Sequence, residues 1–272
     1  MTDLIAAIPA VRDSIVAVLR LRLTLPSPAE GHDRPMPQDH NSKRSRPGAE
    51  VSATEDEPPR PQLQWSFGSA FCIVEDRYLL TAHHVLSGGK AREPGDRFYA
   101  LAVPGNSAPA FHFPVVAFPL ERADLDLAVL EIGPCATPGT RLPALPVSFA
   151  RQPDGTRALT MGYPAPLVSS LSVNSVGEYQ GGQLFLKSHA NEGIVAAQYD
   201  QDGALFYELN VGWHHGESGG PVVSVAGEPA AFSIMQQYRN IQSPHGVVAG
   251  PHRGRALSAI ASELRELGVG II

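Results

Sequence analysis

Short apolar segments separated by turn-forming residues dominate most of the chain. Runs rich in Val, Ile, Leu, Phe and Tyr alternate with stretches of Gly, Pro, Asp and Asn, a pattern that predicts β-strands joined by turns. The predicted strands are SAFCIV (69–74), RYLLTA (77–82), RFYALAV (97–103), FHFPVVAF (111–118), LAVLEI (127–132), RALTMGY (157–163), QLFLKSH (183–189), ALFYELNV (204–211), GPVVSVA (220–226) and AAFSIMQQ (230–237). Many short strands at this spacing indicate an all-β barrel or sandwich.

Both ends of the chain and one proline-rich stretch depart from this pattern. In Ser14–Leu23, leucines alternate with arginines, which predicts a strand with one apolar face and one solvent-exposed face. Residues 26–61 contain eight prolines and almost no large apolar residue, so they cannot offset their chain entropy by burial, and we expect an insertion without stable structure. From Ala256 to Leu267 apolar residues recur at helical spacing, and Gly268 follows as a stop signal, which predicts a C-terminal helix.

Composition and charge argue against several classes of protein. The 272 residues include 21 basic and 27 acidic ones, a formal net charge of −6. Nucleic-acid binding needs clustered Lys and Arg, so we expect no nucleic-acid partner. No apolar run of about 18 residues is present, and Asp3 with the short apolar run 4–8 does not fit a signal peptide, so we expect no membrane association and a cytoplasmic protein. Cys72 and Cys135 are expected to be free thiols in a reducing compartment.

A serine between glycines gives the first indication of catalytic chemistry. It lies in the segment GESGGP (216–221), where glycine permits a tight turn and close approach of a substrate backbone. The N–H groups of Gly216 and Ser218 are candidates for an oxyanion hole, in which each donor typically contributes about a hundredfold or more to the rate. An ordinary glycine-rich hairpin is the alternative interpretation of this segment.

A serine hydroxyl is a weak nucleophile near neutral pH and needs an adjacent base. His84, in the segment LTAHHV (80–85), is the first candidate for this base, and His83 is the second. The imidazole in turn needs a carboxylate to orient it. Asp126 opens an apolar strand, where a carboxylate is costly unless it has a partner, and Asp124 is the alternative.

In the order His, Asp, Ser, these motifs resemble the chymotrypsin-type serine peptidases, most closely their Deg/HtrA branch. The resemblance is carried by GSAFCIV (68–74) with LLTAHHV (79–85), by DLAVL (126–130), by SGGPVV (218–223) and by MGYP (161–164). It implies an all-β fold of two packed antiparallel six-stranded barrels, followed by the C-terminal helix. It also implies a serine endopeptidase that cleaves proteins or peptides through an acyl-enzyme, with the triad His84, Asp126 and Ser218. No cofactor and no metal are expected, since the common zinc and phosphate-loop signatures are absent.

The resemblance divides the chain into consecutive parts. These are 1–25 (N-terminal segment and first strand of barrel 1), 26–61 (insertion), 62–132 (rest of barrel 1), 133–146 (connector), 147–254 (barrel 2) and 255–272 (C-terminal helix). The insertion falls where Deg-type enzymes carry a regulatory loop, and no PDZ-like domain is expected after the helix. A protease that stays in the cytoplasm needs restraint, so a regulated intracellular protease with a regulatory protein partner is expected. The sequence leaves the oligomeric state open.

By resemblance, the specificity pocket has its base at Gly212 and its wall at Ile234 and Met235. The absence of an acidic residue at Gly212 argues against a pocket for Lys or Arg, because a buried cation would lose its hydration without an ion pair. Trp213 and Gln236 are expected to narrow the pocket. We therefore expect small or medium aliphatic side chains before the cleaved bond.

Three residues next to the serine depart from the family pattern or leave a question open. Glu217 stands where the family usually has Asp or Asn, and in zymogen-type relatives that acid pairs with a new N-terminus. No such processing site is evident here. His214 and His215 are candidates for substrate contact or pH sensing, or are ordinary loop residues. A protease-fold binding or signalling module with an idle triad is the alternative function, and esterase activity is a lesser one.

Overall fold

The described residues form two closed antiparallel β-barrels of six strands each. The computed structural model describes residues 4–24, 62–88, 92–107, 109–164, 166–201, 203–212, 214–243 and 246–272. The predicted insertion at 26–61 and Trp213 lie outside the described residues. The two barrels confirm the predicted all-β double-barrel fold.

Barrel 1 contains the first six strands and two short helices. Its elements are α1 (Leu4–Ser14), β1 (Ile15–Thr24), β2 (Gln62–Val74), β3 (Tyr78–Thr81), α2 (His83–Ser87), β4 (Asp96–Ala102), β5 (Phe111–Arg122) and β6 (Leu127–Ile132). The strand order is β1-β2-β3-β6-β5-β4, and pairing of β1 with β4 closes the barrel. The antiparallel pairing of β3 with β6 places the end of β3 beside the start of β6, since Thr81 pairs with Ala128.

Barrel 2 follows after a connector. The strands of this half are β7 (Arg157–Gly162), β8 (Leu167–Val173), β9 (Tyr179–Phe185), β10 (His189–Gln201), β11 (Ala204–Asn210), β12 (Pro221–Ser224), β13 (Ala230–Ser243) and β14 (Gly246–Ala256). Six of them form the barrel in the order β10-β11-β14-β13-β12-β7, while β8 and β9 form a separate two-stranded hairpin. A 3₁₀ turn at Leu257–Ile260 and the helix α3 (Ala261–Glu266) follow β14.

Several elements differ from the sequence-based expectation. The predicted strand 183–189 is wrong, because β9 ends at Phe185 and β10 begins only at His189. The strands β8, β10 and β14 and the helix α1 were not expected. The C-terminal helix is also shorter than predicted, since β14 continues to Ala256 and the first apolar turn after it is 3₁₀ rather than α-helical.

The expectation of a solvent-exposed face on β1 is also wrong. Arg20 is 8% exposed, and its Nη2 lies 2.7 Å from Oδ2 of Asp96 on the neighbouring strand β4. Arg22 lies on the same face and donates from Nε to Oδ1 of Asp96 at 2.7 Å. A buried arginine is tolerated only when its charge is paired, and Asp96 provides that pairing for both.

One hydrophobic cluster joins the two barrels. It contains Val11 of α1, Leu19 and Phe71 of barrel 1, and Met161 and Ile234 of barrel 2, all of which are at most 1% exposed. Burial of each large side chain contributes about 1.5–3 kcal/mol. The shared cluster therefore holds the barrels together at the interface where the candidate site lies.

Candidate active site

His84 and Asp126 form the best-defined pair among the predicted catalytic residues. His84 lies in the first turn of α2, directly after β3, and Asp126 directly precedes β6. Oδ2 of Asp126 lies 2.9 Å from Nδ1 of His84, and Oδ1 accepts a hydrogen bond from the backbone N–H of His84 at 2.8 Å. Because a carboxylate only accepts, Nδ1 carries the proton of the neutral ring and Nε2 is left as a base. The imidazole is 42% exposed at its side chain and is accessible to a reacting group.

The alternative candidates are engaged elsewhere. His83 has its Nε2 3.8 Å from Oε2 of Glu121, away from the Asp126 carboxylate. Asp124 is paired with Arg122 at 2.8 Å, and its side chain is 63% exposed. The structure therefore favours His84 over His83, and Asp126 over Asp124, as members of a triad.

The turn that carries Ser218 packs on the strand that leads to His84. A Cβ at Gly219 would overlap Ser69 O and Thr81 Oγ1, so only glycine allows this approach. Gly219 also has φ +87°, a region that favours glycine. The backbone N–H of Ser69 donates to Ser218 O at 2.8 Å, which ties the turn to barrel 1.

The hydroxyl of Ser218 is not bonded to the imidazole. Its Oγ donates to Gln236 O at 3.3 Å, and within the described part of the chain no hydrogen bond joins it to the His84 ring. Catalytic hydrogen bonds are often long or poorly aligned without substrate. The residue is 9% exposed. The hydroxyl must therefore leave Gln236 O before it can donate to His84.

The predicted oxyanion donors lie on a turn in which the carbonyl group of Gly216 is bonded to Ser69. Gly216 O accepts a hydrogen bond from Ser69 Oγ at 2.7 Å, and the same Oγ accepts from Tyr163 N at 2.9 Å. Gly216 has φ +101°, so a residue with a side chain would be strained there. Among the described residues, no acceptor is bonded to the N–H groups of Gly216 and Ser218. Both groups remain candidates for an oxyanion hole.

Glu217 is buried beneath this turn and holds it to barrel 2. Its Oε2 accepts from the backbone N–H of His214 at 2.7 Å, and its Oε1 accepts from Nδ2 of Asn191 on β10 at 3.1 Å. Burial raises the pKa of Glu217, and the hydrogen bonds from His214 and Asn191 oppose that rise only in part. Neither bond involves a chain terminus, which is the partner used by zymogen-type relatives.

Gln236 has a role that the sequence did not indicate. Its side-chain Nε2 donates to the backbone carbonyl oxygens of Leu125 and Asp126, each at 2.8 Å. Its backbone carbonyl oxygen accepts from the Ser218 hydroxyl. The side chain is buried, with 3% exposure. One residue of barrel 2 thus contacts both the proposed nucleophile and the backbone of the proposed orienting acid. Gln236 is 111 positions from Leu125 and 110 from Asp126 in the sequence, so no local pattern could have revealed these two hydrogen bonds.

The structure gives only limited support to the predicted specificity pocket. Ile234 and Met235 are 0% and 1% exposed and belong to the hydrophobic clusters of the interior, so they do not form an accessible wall. At Gly212 a Cβ would lie in ordinary contact with Asn191, and Gln236 is turned toward barrel 1. Trp213 lies outside the described residues.

None of the described helices is long and apolar enough to span a membrane. The described ranges contain no group of three or more His, Cys, Asp or Glu side chains arranged to hold a metal ion.

Comparisons with known proteins place this arrangement in a family. The model of the trypsin-like peptidase domain matches residues 68–231, a range that covers more than half of the chain and includes His84, Asp126 and Ser218. Among solved structures, the chain is similar to that of the HtrA-type protease AlgW with tripeptide, with 22% sequence identity and a TM-score of 0.49, over 76% of this chain and 58% of that one. The chain thus spans less than two thirds of that relative. A search of curated proteins gave no match. The family match covers the three motifs that carried the resemblance in the sequence, and the chain belongs to the trypsin-like peptidase domain family.

Proposed function

We propose that the protein cleaves polypeptide substrates with Ser218 as nucleophile, His84 as general base and Asp126 as the residue that orients the imidazole. The observation that carries this proposal is the double contact of Asp126 with the His84 ring and backbone, at 2.9 and 2.8 Å. It fixes both the position of the ring and the nitrogen that bears the proton. The family and the packing of the Ser218 turn beside β3 support the same assignment.

The reaction follows from these positions. The Ser218 hydroxyl rotates from Gln236 O toward Nε2 of His84, transfers its proton there and attacks the substrate carbonyl carbon. The N–H groups of Gly216 and Ser218 stabilise the negative charge that develops on the carbonyl oxygen. His84 then gives its proton to the leaving amine, and the acyl-enzyme forms. A water molecule, deprotonated by His84, releases the acid product and restores the serine.

Matched pairs of variants test the assignment. We expect Ser218→Ala and His84→Ala to lower kcat/KM on a fluorogenic peptide library by at least about 10³-fold, while His83→Ala keeps most of the activity. Asp126→Asn is expected to lose activity in the same range, because it permits the wrong tautomer, whereas Asp124→Asn is not. An active His84→Ala protein combined with an inactive His83→Ala protein would contradict the assignment of the base.

An idle protease-fold binding module is the second candidate, and the hydrogen bond from Ser218 Oγ to Gln236 O favours it. A fluorophosphonate probe separates the two functions. An active enzyme forms a stoichiometric adduct on Ser218 that disappears in the Ser218→Ala variant. A folded protein that forms no adduct supports the binding module.

A further inference from the structure

A cleft opens between the β8–β9 hairpin and the segment that precedes the nucleophile turn. Its volume is about 530 Å³, which is within the range of ordinary ligand sites. The cleft is lined by Pro164, Leu167, Phe185, Lys187, His189, His214 and His215. None of these residues belongs to the proposed triad or to the specificity pocket predicted from the sequence.

The hairpin supplies an apolar wall that is exposed to solvent. Leu167 of β8 and Phe185 of β9 are directly opposite each other in the antiparallel register, and they are 66% and 62% exposed. A cross-strand pair of large apolar side chains normally packs on a core. Contiguous exposed apolar surface is typical of a binding site. Because the pair borders a concave space, an apolar side chain that enters the cleft can bury it.

The rest of the lining is polar and basic. It contains the ammonium group of Lys187 and the imidazoles of His189, His214 and His215, and none of the described lining residues is acidic. A carboxylate of a ligand placed near Lys187 is therefore attracted by the ammonium group, and no acidic side chain among the described lining residues repels it. Lys or Arg on a ligand would be repelled.

The cleft lies close to the scissile bond of a bound substrate. His215 lines it and is three residues from Ser218. Consecutive Cα atoms are about 3.8 Å apart, so the two Cα atoms are at most about 11 Å apart. An extended substrate covers that distance in about three residues, at roughly 3.3–3.6 Å each. A polypeptide attacked by Ser218 can thus place a nearby side chain in the cleft.

We propose that this cleft binds an apolar side chain of the substrate, within about three residues of the cleaved bond, and favours an acidic residue next to it. The proposal rests on the proposed function, because the occupant is the polypeptide held for cleavage. It adds a selectivity for substrate class that is independent of the predicted pocket at Gly212.

A library of internally quenched peptides tests the preference in the full chain. The peptides carry Leu, Phe, Ser, Lys or Glu at each of the three positions on either side of one scissile bond. We expect the wild-type protein to favour Leu or Phe at one of these positions. The double variant Leu167→Ser/Phe185→Ser should lower kcat/KM for those peptides by about tenfold, equivalent to about 1.4 kcal/mol, and leave the peptides with Ser there unchanged. Lys187→Gln should reduce only the advantage of a neighbouring Glu.

Val176→Ser is the matched control, because Val176 is on the same hairpin, is 61% exposed and does not line the cleft. It should leave the preference unchanged. The proposal is overturned if the double variant keeps the preference, or if it loses activity equally on all peptides.

Two further measurements separate this proposal from the proposed function. Fluorophosphonate labelling of Ser218 at an unchanged rate in the double variant shows an intact nucleophile, so any change in preference then comes from the cleft. Fluorescence anisotropy measures binding of the same peptides to the Ser218→Ala protein, which needs no catalysis. Tighter binding of the Leu or Phe peptides that is lost in Leu167→Ser/Phe185→Ser supports the cleft even if the wild-type protein forms no adduct. Equal binding of all peptides by both proteins overturns it.

Discussion

Replacing Gln236 by leucine should damage both stability and catalysis, although the two side chains are similar in size. The Nε2 of Gln236 donates to Leu125 O and Asp126 O at 2.8 Å each, and leucine provides no donor. A buried acceptor left without a donor costs about 1–3 kcal/mol, so we expect the loss of both bonds to lower the free energy of unfolding by about 2–6 kcal/mol. Urea unfolding should show a lower midpoint with an unchanged m-value, because the exposed surface is the same.

The catalytic effect has a separate cause. Asp126 has φ +54°, a left-handed conformation that is uncommon for a residue with a side chain and costs about 1–3 kcal/mol. The bond from Gln236 to Asp126 O helps to hold it there. Without that bond we expect the carboxylate to lose its alignment with His84, and kcat to fall more than KM rises.

The neighbouring Gln237→Leu variant is the control for stability, since this side chain is exposed. It should change the unfolding free energy by no more than about 0.5 kcal/mol. If Gln236→Leu unfolds within that same margin of the wild type, the two hydrogen bonds do not stabilise the Asp126 turn and the reasoning is refuted.

Three further outcomes are expected. Burial raises the pKa of Glu217, so wild-type stability, measured by urea unfolding, should fall as the pH rises from about 4.5 through the folded-state pKa. The Glu217→Gln variant should lack this pH dependence, and parallel curves for the two proteins would contradict the prediction. Gly219→Ala should lower the unfolding free energy by about 2–4 kcal/mol and abolish activity, because the new Cβ clashes and the backbone has a positive φ. The control Gly227→Ala also has a positive φ but open space around its Cβ, so it should lower the unfolding free energy by only about 1–2 kcal/mol. Burial raises the pKa of Asp96, but hydrogen bonds that include those from Arg22 outweigh this effect and hold the pKa well below its usual range. The Asp96→Asn variant should therefore lose about 3 kcal/mol of unfolding free energy at neutral pH. In thermal unfolding, its difference from the wild type should shrink as acid protonates Asp96.

Strands whose side chains enter a core could be predicted from the sequence. The segment LAVLEI is buried at all but one position of β6, and it begins directly after Asp126, the acid that contacts His84. The strands β8 and β10 gave no such signal, because most of their residues are half-buried or exposed. They are held by backbone pairing, β8 with β9 and β10 with β7 and β11, and single-sequence periodicity does not report such pairing.

The two helical ends show why spacing alone was not sufficient. In α1, the buried Ala7, Val11 and Ser14 follow helical spacing, but the helix is short and contains Pro9, a residue that usually interrupts helices. After β14, the buried Leu257 and Ile260 are three residues apart, a spacing shared by 3₁₀ and α-helices. Only the packing on barrel 2 decides between them.

The contact between His84 and Asp126 could be predicted, because a local motif marks each residue, whereas contacts made by distant side chains could not. The amide of Gln236 and the carboxylate of Glu217 act through partners that lie apart in the sequence or on another strand. Their residue types alone gave no indication of these contacts.

Because the candidate site spans two barrels, its residues leave the ribosome at different times. A chain that leaves the ribosome exposes His84 and Asp126 long before Ser218, and domains generally fold from the N-terminus as they emerge. The Ser218 turn takes its shape only after β13 has followed, because Gly219 N donates to Met235 O at 2.8 Å. On the proposed assignment, a half-made chain therefore carries the base His84 without the nucleophile Ser218. Such a chain would cleave none of its neighbours on the same polysome until the second barrel has closed.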